Sequence, residues 1–510
     1  MTPRDATALL IGYGVRCAAR ATPGKVALTD LAGNRRTYAE LDDRARRIGV
    51  VARDGYGLAR GDRVALVAPN RLEYAECVMG LADAGIAVVT VNPASTADEL
   101  TYVLNHSDAR LVLADAAVVD MLRTVVAGDV PVLDMGEPLA AQLERVAPNV
   151  RCIDADEHDI FAISYTSGTT GKPKGVLLSH RARTSMFLLA IAATYGTHTP
   201  AIRALTVSPY FNGGGLAHLL APLYFGGSVQ VVSSFDPAVV VTALRDGISF
   251  AALVPTQLTA MLDVPGWGDL PALAALVTNS SAAPQRLKER LIERLGPDRL
   301  YDSYGSTECG VTSVLRPDWM LTKPRSIGRP VPGAMMTLLN EAGEEVENGD
   351  VGELACRMPW LFSGYLHESA GPFGDGARSW CRTGDLAMRD EDGFYFVAGR
   401  KKQVIITGGQ NVFPVEIENA IARHPAIREV AVVGVSDAYW GEAVSAAYTL
   451  HRGVDDVSAA DLRDFLRSQV TGYKVPKHFV NVKALPKNAT GKIVHREVQQ
   501  AVTQHLASQK

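Results

Sequence analysis

Residues 165 to 175 read Tyr165-Thr-Ser-Gly-Thr-Thr-Gly-Lys-Pro-Lys-Gly175, a run made almost entirely of hydroxyls, lysines and glycines. Glycine lets the backbone approach an anion and turn successive N–H groups inward, while hydroxyls and ammonium groups add donors and charge. Thr166, Ser167, Gly168, Thr169, Thr170, Gly171, Lys172 and Lys174 are therefore suited to cradling a polyphosphate. This is not a Walker A loop, because only two residues separate Gly168 from Gly171-Lys172 and Pro173 follows the lysine. Further along, Thr307 can hydrogen-bond a phosphate, and Glu308 is a hard oxygen ligand suited to Mg²⁺ beside a triphosphate. Tyr304 offers a flat face to a purine, although by itself it also reads as a core aromatic. Asp385, after Thr383-Gly384, is a short acceptor suited to ribose hydroxyls, and equally a turn cap.

These groups fall in a fixed succession. After the first loop come Tyr304-Gly-Ser-Thr-Glu308, Gly328-Arg-Pro330, Gly352-Glu-Leu354, Arg382-Thr-Gly-Asp385, Gly399-Arg-Lys-Lys402, Gly408-Gly-Gln-Asn-Val-Phe-Pro414 and Pro486-Lys-Asn-Ala-Thr-Gly-Lys492. In content and order, over residues 165 to 492, the set resembles the adenylate-forming superfamily of acyl-CoA synthetases, peptide-synthetase adenylation domains and beetle luciferases.

The resemblance implies roles that composition does not. Ser281, Ala282, Ala283, Asp302, Ser303, Tyr304 and Gly305 would line the nucleotide site, and Arg400 would make a second ribose contact. Lys402 would sit at the hinge between two domains. Lys492, by composition an exposed loop lysine, would enter the active site for the first half-reaction. There a carboxylate attacks the α-phosphorus, and a positioned ammonium stabilises the charge that builds in the transition state. Gly408 and Gly409 would replace Lys492 when the small lobe turns and would admit the pantetheine arm of coenzyme A. Tyr210, Phe211, Asn212, Gly213, Gly214, Val254 and Ser281 would form the acid pocket.

Two positions depart from the family pattern. Asn212 stands where most acyl-CoA synthetases carry histidine; being neutral, it cannot pair with an α-ammonium, which argues against an α-amino acid. Ser281 adds a hydroxyl where glycine is common. The pair reads either as a polar carboxylate end or as neutral drift, and the Gly213-Gly-Gly215 run as a loosened wall or room for a bulky acid. The implied reaction joins a carboxylic acid to the thiol of coenzyme A through an acyl-adenylate, using ATP and Mg²⁺. Transfer to a carrier protein or an amine is the alternative, and luciferase-type oxygenation a more distant one. A hydrolase lacks its G-x-S-x-G elbow, a zinc protease its H-E-x-x-H, and a nicotinamide enzyme the third glycine after Gly12-Tyr-Gly14.

The elements that must position these groups are legible in outline. At 510 residues the chain is too long for one core. Leu41, Ala45, Ile48 and Ala52 recur at helical spacing, with Arg44, Arg46 and Arg47 assigned to a solvated face. Segments 63–68, 87–91, 109–114, 204–208, 228–232 and 250–254 read as short buried strands between helices. The expected class is α/β. A large lobe, 1–401, has stacked, mostly parallel sheets and a small β-subdomain, and a small mobile α+β domain, 402–510, carries Lys492. The 371–376 stretch reads as a glycine-rich turn.

With 47% hydrophobic and 21% charged residues, usage is that of a globular protein. A net charge of −4 provides no basic field for nucleic acid. Residues 1–29 lack a signal-peptide pattern, and no stretch reads as a membrane span, so the expectation is a cytoplasmic protein without stable membrane insertion. The six cysteines lie far apart without a CxxC pair, which suits reduced thiols better than disulfides or a zinc site.

Overall fold

The computed structural model describes residues 9–148, 150–166, 172–267, 269–368, 380–454, 456–487 and 493–508. Among these, two large sheets form the first lobe. One runs in the spatial order Val132–Asp134, Leu111–Ala114, Arg63–Val67, Ala87–Val91, Ile160–Thr166 and Lys174–Ser179, with every pairing parallel except the last. The other runs Arg329–Pro330, Gly310–Leu315, Leu300–Ser306, Ala275–Thr278, Phe250–Leu253, Arg203–Thr206, Ser228–Val231, Val26–Asp30 and Arg35–Thr37. Its five central pairings are parallel and its ends antiparallel. Val64 to Val67 and Val88, Val89 and Val91 are buried on both faces, as expected of parallel strands covered by helices. The α/β expectation therefore holds, and the strand readings fall within a residue or two of the observed bounds.

The helix Tyr38–Val50 shows how local and tertiary signals combine. Thr37 and Glu40 close a capping box at its start, and Leu41, Ala45 and Ile48 turn inward as the spacing requires. Its arginines correct the expectation of a solvated face. Arg44 and Arg36 grip Glu76, which is fully buried, at 2.7 and 2.8 Å, while Arg46 and Arg47 both hold Asp43. A buried carboxylate demands such partners, because its desolvation is otherwise uncompensated.

A four-stranded antiparallel sheet, Met335–Leu339, Val351–Arg357, Cys381–Arg389 and Tyr395–Arg400, forms the β-subdomain. The short turn Lys401–Gln403 follows it. A separate sheet then begins at Ile405–Thr407, with Gln410–Val412, Ile427–Asp437, Gly441–Leu450 and His478–Asn481, packed by helices Pro414–Ile421, Ala459–Arg467 and His495–Ser508. Among the described residues, the apolar cores of this last unit draw on residues from Ile405 onward, and those of the rest on residues up to Phe396. No helix of the described residues is long and apolar enough to cross a membrane. The 371–376 turn lies outside the described residues.

One glycine shapes the turn that matters most for the site. The ladder between Leu300–Ser306 and Gly310–Leu315 shifts register between Tyr304 and Gly305, and a Cβ on Gly305 would lie 1.9 Å from the Gly310 carbonyl oxygen. Gly305→Ala should therefore destabilise the fold by about 1–3 kcal/mol, the usual cost of overpacking. Gly24→Ala, where nothing lies within 4 Å, should leave the denaturation midpoint nearly unchanged. Equal midpoints for the two variants would contradict this account.

Candidate active site

Thr307 and Glu308 occupy the turn between the strands Leu300–Ser306 and Gly310–Leu315. The turn is held from several sides. Arg183, in the helix His180–Ser185 that follows the outermost strand of the first sheet, donates from Nη2 to the Thr307 carbonyl at 2.9 Å. Arg183 is buried, and burial pushes its guanidinium down to about 10, with Glu308 opposing. It remains a cation at neutral pH. The Phe362 amide donates to the Glu308 carbonyl at 2.9 Å. Gly213 packs so closely that a Cβ there would come within 2.9 Å of Thr307 Cγ2. A Cβ on Gly215 would lie 2.0 Å from the Pro209 carbonyl oxygen, whereas Gly214 faces open space. The glycine run thus allows close backbone packing at Gly213 and Gly215, so it does not loosen a wall there.

The Glu308 side chain meets Tyr365, whose ring lies beneath a lysine of the first loop. Tyr365 Oη donates to Glu308 Oε1 at 3.0 Å, and Lys174 Nζ sits 4.7 Å from the centre of the Tyr365 ring. Burial and the Glu308 charge push the Tyr365 phenol up, so it stays a donor. Lys174 also pairs with Glu368 at 2.6 Å. Lys172 lies 5.4 Å from the Tyr102 ring centre, and Tyr102 Oη donates to the Pro173 carbonyl at 3.0 Å. Thr166 ends its strand opposite Lys174. Ser167, Gly168, Thr169, Thr170 and Gly171 lie outside the described residues.

A second cluster joins the large sheet to the β-subdomain. Tyr304 Oη donates to Asp385, and Arg400 Nε pairs with the other carboxylate oxygen at 2.7 Å. Asp385 and Arg400 are direct partners in the antiparallel ladder, so the pair is fixed by register. Burial and Asp385 both raise the Tyr304 phenol, which therefore remains a donor. The residue expected to offer a flat face is thus also tied down by its hydroxyl. Ser303 and Gly305 flank it. Asp302 pairs with Lys288 at 2.5 Å, and both are buried. Burial pushes the Asp302 carboxyl up, opposed by Lys288. In the loop after Ala275–Thr278, Ser281 is half-buried, Ala282 exposed and Ala283 buried, while Ser280 takes a left-handed φ of 71°.

The segment expected to line an acid pocket divides. Tyr210 is fully buried, with its hydroxyl 2.6 Å from Thr206 Oγ1 and its ring edge-on to Tyr74, so it is a pillar of the core. The Phe211 carbonyl accepts from Thr90 at 2.8 Å. Asn212 precedes the helix Gly213–Tyr224 without capping it, and Val254 precedes Pro255–Leu262. From the first of these helices His218 reaches Asn279, its Nε2 lying 3.4 Å from the amide nitrogen. Burial lowers the His218 ring to about 4, so it is neutral at pH 7 and accepts at Nε2. Its buried Nδ1 has no protein partner among the described residues. His198 and Phe250 lie beside it in an aromatic group.

Gly408 and Gly409 turn the hairpin Ile405–Thr407 to Gln410–Val412 with φ of 55° and 78°. A Cβ on Gly408 would lie 3.1 Å from the Trp440 ring. Lys402 is exposed in the short turn before this unit, and Lys492 lies outside the described residues.

Sequence reasoning missed Arg183, Tyr365, Lys288 and His218 as contributors. Each acts through a partner far away in the chain, and nothing in its local sequence announces that. The six cysteines are free thiols, yet three of them meet in a way their spacing did not show. Cys309, Cys356 and Cys381 converge and are buried, with Sγ–Sγ separations of 3.3 Å for Cys309–Cys356 and 4.0 Å for Cys309–Cys381. Wide spacing along the chain said nothing about distance across adjacent strands.

Comparison with known proteins finds relatives over most of the chain. Residues 15–366 match the AMP-binding enzyme family, and residues 416–492 match the AMP-binding enzyme C-terminal domain. A 2-succinylbenzoate–CoA ligase of Geobacillus kaustophilus is 32% identical over 489 residues, covering 94% of this chain and 96% of that protein. The fatty acid–[acyl-carrier-protein] ligase ScoC of Streptomyces coeruleorubidus is 33% identical, with 91% of each chain covered. The crystal structure of ATP-bound MatB from Rhodopseudomonas palustris superposes with a TM-score of 0.87 at 28% identity, covering 96% of this chain and 98% of that one. With its large lobe and its C-terminal unit both matched, the chain belongs to the family of AMP-binding enzymes.

Proposed function

We propose that the protein is an AMP-forming acid–thiol ligase, which activates a carboxylic acid with ATP and passes the acyl group to coenzyme A. The observation that carries this reading is the convergence of Lys174, Tyr365 and Glu308 with the Arg183-held Thr307. A hard oxygen ligand and a hydroxyl share one turn, with a cation across the Tyr365 ring from it, groups that a triphosphate requires. Tyr304, Asp385 and Arg400 stand as the ribose and purine end of the same site. Here Asp385 is the acceptor for ribose hydroxyls, Arg400 fixes its orientation, and the Ser281–Ala283 stretch borders the base with Asp302.

Glu308 belongs to no group of three or more close carboxylate, histidine or cysteine ligands among the described residues. That fits Mg²⁺, which keeps much of its shell for water and substrate phosphates and takes only one or two carboxylates. When bound it would neutralise charge on the phosphoryl oxygens. The chain's own contributions are to hold the triphosphate with Lys172, Lys174 and the 166–171 loop, and to present Thr307 to the α-phosphate. Lys492 would add an ammonium at the in-line displacement. Residues 402–510 would act as a mobile domain about Lys402, exchanging Lys492 for Gly408 and Gly409 so that a thiol reaches the acyl-adenylate. The reduced thiols suit a cytoplasmic setting.

Asn212 and Ser281, with neutral His218 nearby, support an acid that carries polar groups. The ScoC relative keeps a carrier protein open as the acceptor. Pyrophosphate release across fatty, aromatic, dicarboxylic and amino acids, with and without coenzyme A, tests the reading. Release with one acid class, and a thioester only when coenzyme A is present, is expected. Release that yields no thioester with coenzyme A would move the acceptor to a carrier protein or an amine, and a panel without any release would overturn the ligase reading.

Lys492→Ala should lower acid-dependent AMP formation by roughly 100- to 1,000-fold, or about 2.7–4 kcal/mol. The variant should still convert a supplied acyl-adenylate and coenzyme A to the thioester. Equal loss of both half-reactions would remove Lys492 from its role. Asn212→His should reorder kcat/KM among the acids; an unchanged ranking would mean that Asn212 does not shape the carboxylate end.

A further inference from the structure

Beneath the Thr307-Glu308 turn lies a group that the proposed reaction does not use. Cys309 follows Glu308 directly, Cys356 lies on the strand Val351–Arg357, and Cys381 opens the strand Cys381–Arg389, paired across the ladder with Cys356. Cys309 and Cys356 are 1% and 0% exposed and Cys381 is 5% exposed, so the cluster is closed with Cys381 at its rim. All three sulfurs lie within 4.8 Å of one another, with Cys309 3.3 Å from Cys356 and 4.0 Å from Cys381. A metal bound to thiolates at about 2.3 Å in a trigonal plane sets its sulfurs about 4.0 Å from each other. One observed spacing matches that value and the other falls several tenths of an ångström short of it, so side-chain rotation would fit the site around an ion without moving the strands.

We propose that Cys309, Cys356 and Cys381 are the ligands of a thiophilic d¹⁰ metal ion in trigonal coordination, with Cu⁺ preferred over Zn²⁺. Thiolates select soft ions, whereas Glu308 and phosphate oxygens are hard, so this site and the proposed Mg²⁺ position take different metals. Zinc sites are closed by a fourth donor, and among the described residues no fourth histidine, cysteine or carboxylate joins the group. Cu⁺ accepts three sulfurs. On binding, each ligating thiol releases its proton to solvent as a sulfur–metal bond forms, and no electrons are transferred. The buried Arg183 guanidinium lies close enough to Cys309 to supply countercharge. A bound ion would tie the turn carrying Thr307 and Glu308 to the two strands of the β-subdomain, one of which leads on to Asp385.

The test uses the full-length protein in a Cys17→Ser background, which removes the exposed thiol. Cu⁺ is titrated anaerobically against a chromophoric chelator, and Zn²⁺ in parallel. The expected result is one Cu⁺ per chain, with a near-ultraviolet sulfur-to-metal charge-transfer band and a raised thermal midpoint. Zn²⁺ should bind more weakly. Cys356→Ser and, separately, Cys381→Ser should each weaken Cu⁺ binding by at least the roughly 10- to 100-fold that loss of even an outer partner costs, with far-ultraviolet dichroism unchanged. Because the two variants perturb different positions, misfolding of one leaves the other decisive. Absence of the band, binding unaltered in a folded variant, or Zn²⁺ held as tightly as Cu⁺ would overturn the proposal.

Discussion

A buried guanidinium holding a backbone carbonyl organises this site. Arg183 reaches from the helix that follows the strand Lys174–Ser179 to the Thr307 carbonyl, and so couples that strand to the turn that bears Thr307 and Glu308. A charge-assisted hydrogen bond of this kind contributes about 1.5–3 kcal/mol. Losing it would leave an unpaired buried cation, which costs more than the bond itself. The two large sheets are therefore fixed relative to each other at the place where the chemistry is proposed.

The same turn gathers its other constraints from different layers. The Phe362 amide caps the Glu308 carbonyl, Gly213 gives way so that Thr307 can pack, and Tyr365 donates to the Glu308 carboxylate while Lys174 lies over its ring. On the far side, ladder register places Asp385 opposite Arg400, and Tyr304 completes the carboxylate's coordination. Each of these polar groups is met by a partner from another segment of the fold. That preorganisation lets a site stabilise developing charge without first rearranging.

The segment expected to line an acid pocket is built differently. Tyr210 and its partner Thr206 are core, while neutral His218, on the helix that Asn212 precedes, holds a buried nitrogen that has no protein partner among the described residues. Such an unsatisfied buried nitrogen is costly.

Motif content and order were enough to place the chain among AMP-binding enzymes, because phosphate cradles and metal ligands depend on residue type at short spacing. Short continuous apolar runs located the strands, which are buried on both faces, and period-3.6 patterning located the helix with its Leu41-Ala45-Ile48 stripe, where burial of one face imposes that period. Long-range pairing was invisible for the opposite reason. Arg183 with Thr307, Lys288 with Asp302, Arg44 with Glu76, and Tyr365 with Glu308 are separated by 124, 14, 32 and 57 residues, and nothing local encodes which cation meets which carboxylate or carbonyl. The cysteines make the distinction clearest. Composition showed six thiols far apart, and only the folding of a turn against two neighbouring strands brought three of them within a few ångströms, because distance across a sheet is set by register and not by position in the chain.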